Sequence, residues 1–189
     1  MLSVIIPTDG IEQPAVATLA ALVPGATAGV IREVLLVDRA GTGAIERVAD
    51  VAGCGFIACI GSRAGAMAAG AKAVRSPWLM FLHAGAVPDA GWIEETRQFI
   101  QSVAAGSRPR AGIFRPARSP YDEPSFRDGV KHLFRKITGS RADQGLLIAR
   151  DHYERLGGHA DAPGAEARLL RKLGRSSRTI LRSRIITVA

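Results

Sequence analysis

Aromatic residues are scarce in this chain, at 5% of its 189 positions, and it has only two cysteines. Proteins that bind single-stranded nucleic acid stack bases on aromatics set among basic residues. The second half offers only Phe99, Phe114, Tyr121, Phe126, Phe134 and Tyr153, several of them on apolar faces. That argues against nucleic acid as a partner. Cys54 and Cys59 stand in "CGFIAC", a spacing that suits neither a zinc knuckle nor a redox C-x-x-C. They read as small buried hydrophobes. No apolar run approaches the roughly 18 residues that span a bilayer. The opening "MLSVIIPTDG" lacks a basic leader and a small-residue cleavage site, so it reads as a strand, and the cytosol is the expected compartment. Neither G-x-G-x-x-G nor G-x-x-x-x-G-K-[ST] follows the first strand, which disfavours a dinucleotide-binding or P-loop reading. One further absence matters most. The loop after "LMFL" has no carboxylate before Asp89.

What is present is enough for one domain, residues 1–189, with a sizeable core. Hydrophobic residues make up 47% and charged residues 22%, the balance of a folded globular chain. The net charge of +8 is uneven. Residues 1–96 carry six Lys/Arg against nine Asp/Glu, whereas residues 97–189 carry nineteen against eight. The second half is therefore expected to face an anionic partner: a nucleotide-sugar, an acidic membrane surface or nucleic acid. An Arg-rich solvated surface explains the same numbers.

Apolar runs and breakers alternate along the chain. Leu2–Pro7, Val30–Val37, Gly55–Ile60 and Trp78–Leu82 read as strands, each followed by a helical stretch: Pro14–Leu22, Ala44–Val51, Arg63–Val74 and Trp92–Ala104. Pro24 and Gly25 are expected to end the first helix. Strand–helix repeats of this kind build an α/β fold, with a mostly parallel sheet and helices on both faces. Ala111–Arg115 reads as an edge strand closed by Pro116. Residues 126–137 read as a basic amphipathic helix, docked on the sheet or lying on a membrane surface. Gln144–Ala149 reads as a strand, Asp151–Leu156 and Glu166–Leu173 as short helices, and Thr179–Val188 as one or two closing strands. In an open sheet of this class, ligands sit beyond the carboxyl ends of the strands.

Six pieces stand in order: "SVIIPT", a strand ending at Asp38, Arg63 with a Gly/Ala-rich helix, "WLMFLHA", "DQGLLIAR" and "LGGH". Together they resemble the inverting family-two glycosyltransferases of the GT-A fold, and more closely their short soluble bacterial subgroup. The resemblance covers nearly the whole chain. It implies transfer of a sugar from a nucleotide-diphosphate-sugar donor to an acceptor, with a divalent metal, Mn²⁺ or Mg²⁺. It places Pro7, Thr8 and Asp38 around the base and ribose, and Arg63 at the diphosphate. His83 and Gly85 fall on the donor side, at the metal motif. Asp143 and Gln144, with Arg141 beside them, fall toward the acceptor. Glu166 falls at the general base, with Asp161 as its alternative and Asp143 as a second catalytic carboxylate.

Two motifs depart from the family. The subgroup's fourth strand ends in a sequence like His-Ala-Asp-Thr, where this chain has His83, Ala84, Gly85 and Ala86. Mg²⁺ and Mn²⁺ take hard oxygen ligands, and glycine has no side chain to offer. No metal ligand is therefore assigned. The acidic pair near the end is reduced to Glu166 followed by Ala167, in a segment about one helical turn short. Three readings follow. The chain is a transferase working without the usual metal ligand, with Arg63, Arg141 or Lys131 neutralising the leaving diphosphate. Or it is a nucleotide-sugar-binding protein without turnover. Or it is a basic module for nucleic acid or an anionic membrane surface.

Overall fold

A computed structural model describes residues 1–117 and 145–188. Eight strands form one sheet in the order β3-β2-β1-β4-β7-β6-β8-β5. They are β1 Leu2–Thr8, β2 Ile31–Asp38, β3 Gly55–Ala58, β4 Trp78–Phe81, β5 Ala86–Pro88, β6 Ala111–Ala117, β7 Leu146–Ala149 and β8 Arg178–Thr187. The described helices are α1 Glu12–Thr27, α2 Ala44–Ala52, α3 Arg63–Ala73, α4 Trp92–Ala104, α5 Arg150–Arg155 and α6 Ala165–Leu173. The pairings make β1, β2, β3, β4, β6 and β8 run one way, with β7 and β5 against them. The expected α/β class and mostly parallel sheet are therefore present.

The first four strands pair in parallel because each is followed by a crossover helix. β1 and β4 are near-continuous apolar runs, as burial on both faces requires, whereas β3, at the sheet edge, is exposed at Gly55 and Ala58. Every residue of β1 is buried, and so is every residue of β4. One core packs α1, α2 and α4 against the sheet through Leu22, Ile45, Trp92 and Phe99. The other packs α3 and α6 on the opposite face through Met67, Ala71, Leu169 and Leu170. The small residues of α3 let it press on β1: a Cβ at Gly70 would lie 2.4 Å from Ile5 Cγ2. Arg150 ties the end of α3 to the start of β4. Its guanidinium donates to the carbonyls of Ala71, Val74 and Ser76 at 2.8, 2.7 and 3.0 Å.

The structure departs from expectation in three places. Helix α1 does not stop at Pro24 but runs on to Thr27. Its last turn is held by packing, with Gly25 against the ring of Trp92, where a Cβ would come within 2.4 Å of Cη2. β6 is not an edge strand; it lies between β7 and β8 and continues through Pro116 to Ala117. The loop after β4 holds a three-residue strand, β5, paired with the end of β8. β5 was invisible in the sequence because its partner lies about a hundred residues further on. The basic helix expected at 126–137 lies outside the described residues, as do Lys131, Arg141, Asp143 and Gln144.

Candidate active site

The carboxyl ends of β1 and β4 and the first turn of α3 enclose a cleft of about 290 Å³, lined by Pro7, Asp9, Arg63, His83 and Thr187 among others. Three residues expected on the donor side therefore meet here: Pro7, Arg63 and His83. Glu166, in the first turn of α6, reaches the same place from the far end of the sequence. His83 Nε2 is 3.3 Å from Glu166 Oε2, with both side chains largely buried. His83 Nε2 has no aligned hydrogen-bond acceptor, so the contact is an ion pair whenever the imidazole is protonated.

The electrostatics around Glu166 follow from these neighbours. Burial raises its pKa, but the contact with His83 and the charges of His83, Arg63 and His159 outweigh that and hold the carboxyl below its usual range. It is ionised at neutral pH. His159 stands behind the pair, 7% exposed. Burial pushes its imidazole down to about 4, with Glu166 opposing the shift and His83 adding to it. Tyr153 fixes the ring: its Oη lies 3.1 Å from His159 Nδ1 and accepts from the His159 N–H at 3.0 Å. Phe81 packs edge-on against His159 at 4.9 Å. The "LGGH" stretch carries His159, but its pattern assigns that residue no role.

Thr8 and Asp38 lie beneath the cleft and not on its lining. Asp38 is 1% exposed, and both its oxygens are engaged. Oδ1 accepts from Thr8 Oγ1 at 3.0 Å and from the Gly10 N–H at 2.9 Å, and Oδ2 accepts from the Gly41 N–H at 2.8 Å. In this structure Asp38 clamps the loops after β1 and β2 together. The exposed contact there is Arg39 with Asp9 at 2.6 Å, with Arg39 also donating to the Gly61 carbonyl at 3.1 Å.

Gly85 has φ +89° and sits in a tight crossing. Its N–H donates to the Pro14 carbonyl at 2.9 Å, and its carbonyl accepts from Val188 N–H at 2.8 Å. A Cβ at this position would lie 2.1 Å from the Val188 carbonyl oxygen. The position that holds the metal carboxylate in the resembling family is thus closed by backbone. Asp89 is turned away, accepting from the Arg184 N–H at 2.9 Å. Among the described residues no group of three or more His, Cys, Asp or Glu side chains converges as a metal would require. The residues here do not fit a carboxylate-held metal.

Asp161 meets the first turn of α3. It accepts from the Ser62 N–H at 3.1 Å and from the Ser62 hydroxyl at 2.5 Å, while Ser62 Oγ caps Gly65 N–H at 3.0 Å. These bonds lower its pKa. Nothing in the sequence signalled this contact, which spans 99 positions.

No protein-family model and no curated protein matches the chain. Solved structures do. S. aureus TarS 1–349 superposes with a TM-score of 0.70 at 11% identity, over 99% of this chain and 60% of that one. The same fragment in complex with UDP-GlcNAc gives 0.68 at 12%, over 100% and 59%. Glucosyl-3-phosphoglycerate synthase from Mycobacterium tuberculosis, in complex with Mn²⁺, UDP and glucosyl-3-phosphoglycerate, gives 0.65 at 13%, over 100% and 71%. The chain thus spans about 60% of the TarS fragment's length. Its fold is that of the GT-A glycosyltransferases.

Proposed function

We propose that this chain transfers a sugar from a nucleotide-diphosphate-sugar donor to an acceptor hydroxyl, with no carboxylate-held metal at Gly85. The observation that carries the reading is the meeting of Glu166, His83 and Arg63 at the carboxyl ends of the parallel strands, where this class of sheet binds ligands. Structural neighbours that bind UDP and UDP-GlcNAc support it.

The chemistry needs three things, and the cleft offers a residue for each. A sugar hydroxyl is a weak nucleophile, so a base must take its proton as it attacks. Glu166 is ionised and positioned for this. The acceptor oxygen bonds to the sugar's anomeric carbon, the bond from that carbon to the diphosphate breaks, and the proton passes to Glu166. Charge then builds on the leaving diphosphate. Arg63 and the first turn of α3 face that charge; a guanidinium and a helix N-terminus both stabilise it. His83 stands beside Glu166 and, with Arg63 and His159, favours its ionised form. Asp143, Gln144 and Arg141 are assigned to the acceptor side and belong to the same proposal. No transmembrane helix occurs among the described residues.

One observation favours a second reading, nucleotide-sugar binding without turnover. Gly85 is closed by Val188, so the metal chemistry implied by the resemblance has no place there. The two readings separate in one experiment. UDP is titrated with and without Mn²⁺ while melting temperature is read, and UDP-sugar hydrolysis is followed in the wild type and in Glu166→Gln. A UDP shift indifferent to Mn²⁺, with hydrolysis lost in the variant, supports the transferase. The same shift without hydrolysis in the wild type leaves the binding protein. No shift with UDP sinks both.

A further inference from the structure

β6 and β8 pair in parallel, and their register puts Arg115 directly opposite Arg184. Both are exposed. Like charges opposite one another on neighbouring strands are destabilising, so the arrangement needs a reason.

The register is not a default. Ile113 faces Ile180 but Arg115 faces Arg184, so β8 spends four residues where β6 spends two. This is a bulge, a device that re-aims side chains next to functional sites. The bulge is held from outside the sheet by two carboxylates. Glu95 accepts from the backbone N–H groups of Arg182 and Ser183, both at 2.6 Å, and Asp89 accepts from that of Arg184 at 2.9 Å. The Arg184 carbonyl in turn accepts from the Asp89 N–H at 2.9 Å. Both oxygens of Glu95 are committed to backbone. Among the described residues, no carboxylate forms an ion pair with Arg115 or Arg184.

The face is also informative. Ala111 and Ile113 pack in the core under α3 and α6, whereas Phe114, Leu181 and Ile185 pack in the other. Arg115 and Arg184 therefore project from the α6 face, near the carboxyl ends of the strands. Glu166 lies on that same face, at that same edge.

We infer that Arg115 and Arg184 form a binding site for a phosphate-type oxyanion carried by the acceptor. Two arginines opposite one another on strands about 5 Å apart can both reach one tetrahedral anion; charge-assisted, bidentate contacts of that kind are the strong ones. The inference rests on the transferase reading, since it names the chemistry of the acceptor side of that site. The phosphate belongs either to a soluble phosphorylated acceptor or to a lipid headgroup.

The test is calorimetric titration of inorganic phosphate into the full chain at constant ionic strength, with Arg115→Glu as the comparison. This variant places opposite charges across the strands, so it melts no lower than the wild type. Saturable phosphate binding in the wild type, at least tenfold weaker in Arg115→Glu, supports the site. Sedimentation with phosphatidylcholine vesicles, with and without phosphatidic acid, then separates the sources. Co-sedimentation that requires phosphatidic acid and is lost in Arg115→Glu assigns a lipid phosphate; phosphate binding without it assigns a soluble acceptor. No phosphate binding, or equal binding in both proteins, overturns the inference. So does phosphate binding abolished by saturating UDP, because the anion then sits in the donor cleft. A UDP-induced melting shift in Arg115→Glu keeps the two ideas apart: it survives if the donor reading holds and the arginine site fails.

Discussion

Nε2 of His83, at the end of β4, stands 3.3 Å from Oε2 of Glu166, in the first turn of α6. Eighty-odd residues of sequence are closed into one contact at the mouth of the cleft. The pair makes Glu166→Gln an informative substitution. It keeps the shape and removes the proposed base, so turnover should fall by at least about 100-fold while the UDP-induced melting shift persists. Single-turnover kinetics beside a UDP titration would show the split. Loss of both would mean that Glu166 holds the cleft together and is not its base.

The acid limb of the stability curve is set by the same cluster. His159 in the folded chain has its pKa depressed to about 4. Between the ordinary histidine value and that point, the unfolded chain binds a proton that the folded chain refuses. Stability is therefore full above the ordinary value and lost as pH falls toward 4, by on the order of 3 kcal/mol in total. Glu166, also depressed, adds a loss in the same direction at lower pH, as protons reach its folded carboxylate. Urea melts at several pH values between 7 and 4.5 would show this slope, and His159→Gln should flatten its upper part. An unchanged slope in the variant would assign the acid sensitivity elsewhere.

Restoring a carboxylate at position 85 should not restore a metal site. Gly85 has φ +89°, and a Cβ would meet the Val188 carbonyl at 2.1 Å. Both Gly85→Asp and Gly85→Ala should lose about 2 kcal/mol or more, which in a chain of this size lowers the melting temperature by roughly 4–8 °C. Neither should gain a Mn²⁺-dependent UDP shift. Scanning calorimetry and the nucleotide titration would check both parts. A stable, Mn²⁺-responsive Gly85→Asp would show that the Val188 crossing opens.

Asp161 places a carboxylate against the first turn of α3, where the proposed diphosphate would approach. Two anions compete there. Asp161→Asn should tighten UDP binding a few-fold at low salt, and the gain should shrink as ionic strength rises. Isothermal titration at two salt concentrations would read it. Weaker binding in the variant would show that Asp161 organises the turn and does not oppose the ligand.

Packing at the other end of the cleft's scaffold is equally specific. Gly25 lies under Trp92, with 2.4 Å between Cη2 and the place a Cβ would take. Gly25→Ala should cost about 1–3 kcal/mol by overpacking, read as a drop in the urea midpoint with an unchanged slope. No drop would mean that Trp92 has room to swing away.

The sequence disclosed what is periodic or local. The four crossover units, the full extent of α4 and the place of Asp38 at a strand end are all readable from apolar runs and breakers. So is the convergence of Pro7, Arg63 and His83, because strand ends gather on one edge. What stayed hidden depends on partners far apart in the chain. β5 exists only because β8 pairs with it. β6 reads as an edge until β8 covers its other side. Pro24 is a helix breaker in isolation, yet the helix runs on to Thr27, with Gly25 packed under Trp92 and the Ala28 N–H donating to the Pro24 carbonyl at 2.9 Å. Asp38 shows the same limit: its position was legible, but the commitment of both its oxygens to the loops was not.

The pairing of Val188 with Gly85 has a consequence in time. Thr187 completes a cleft whose other walls include Pro7 and Arg63, so the cleft is closed by a strand more than a hundred residues further along the chain. The βαβ units of the first half need only near neighbours and can dock early. The β5–β8 and β6–β8 ladders close loops of very different lengths and come late, since distant contacts form slowly. A ribosome-bound chain that has not yet released β8 would thus carry most of the sheet but no finished site. The cleft would be completed only when β8 docks, in the same step that covers β6.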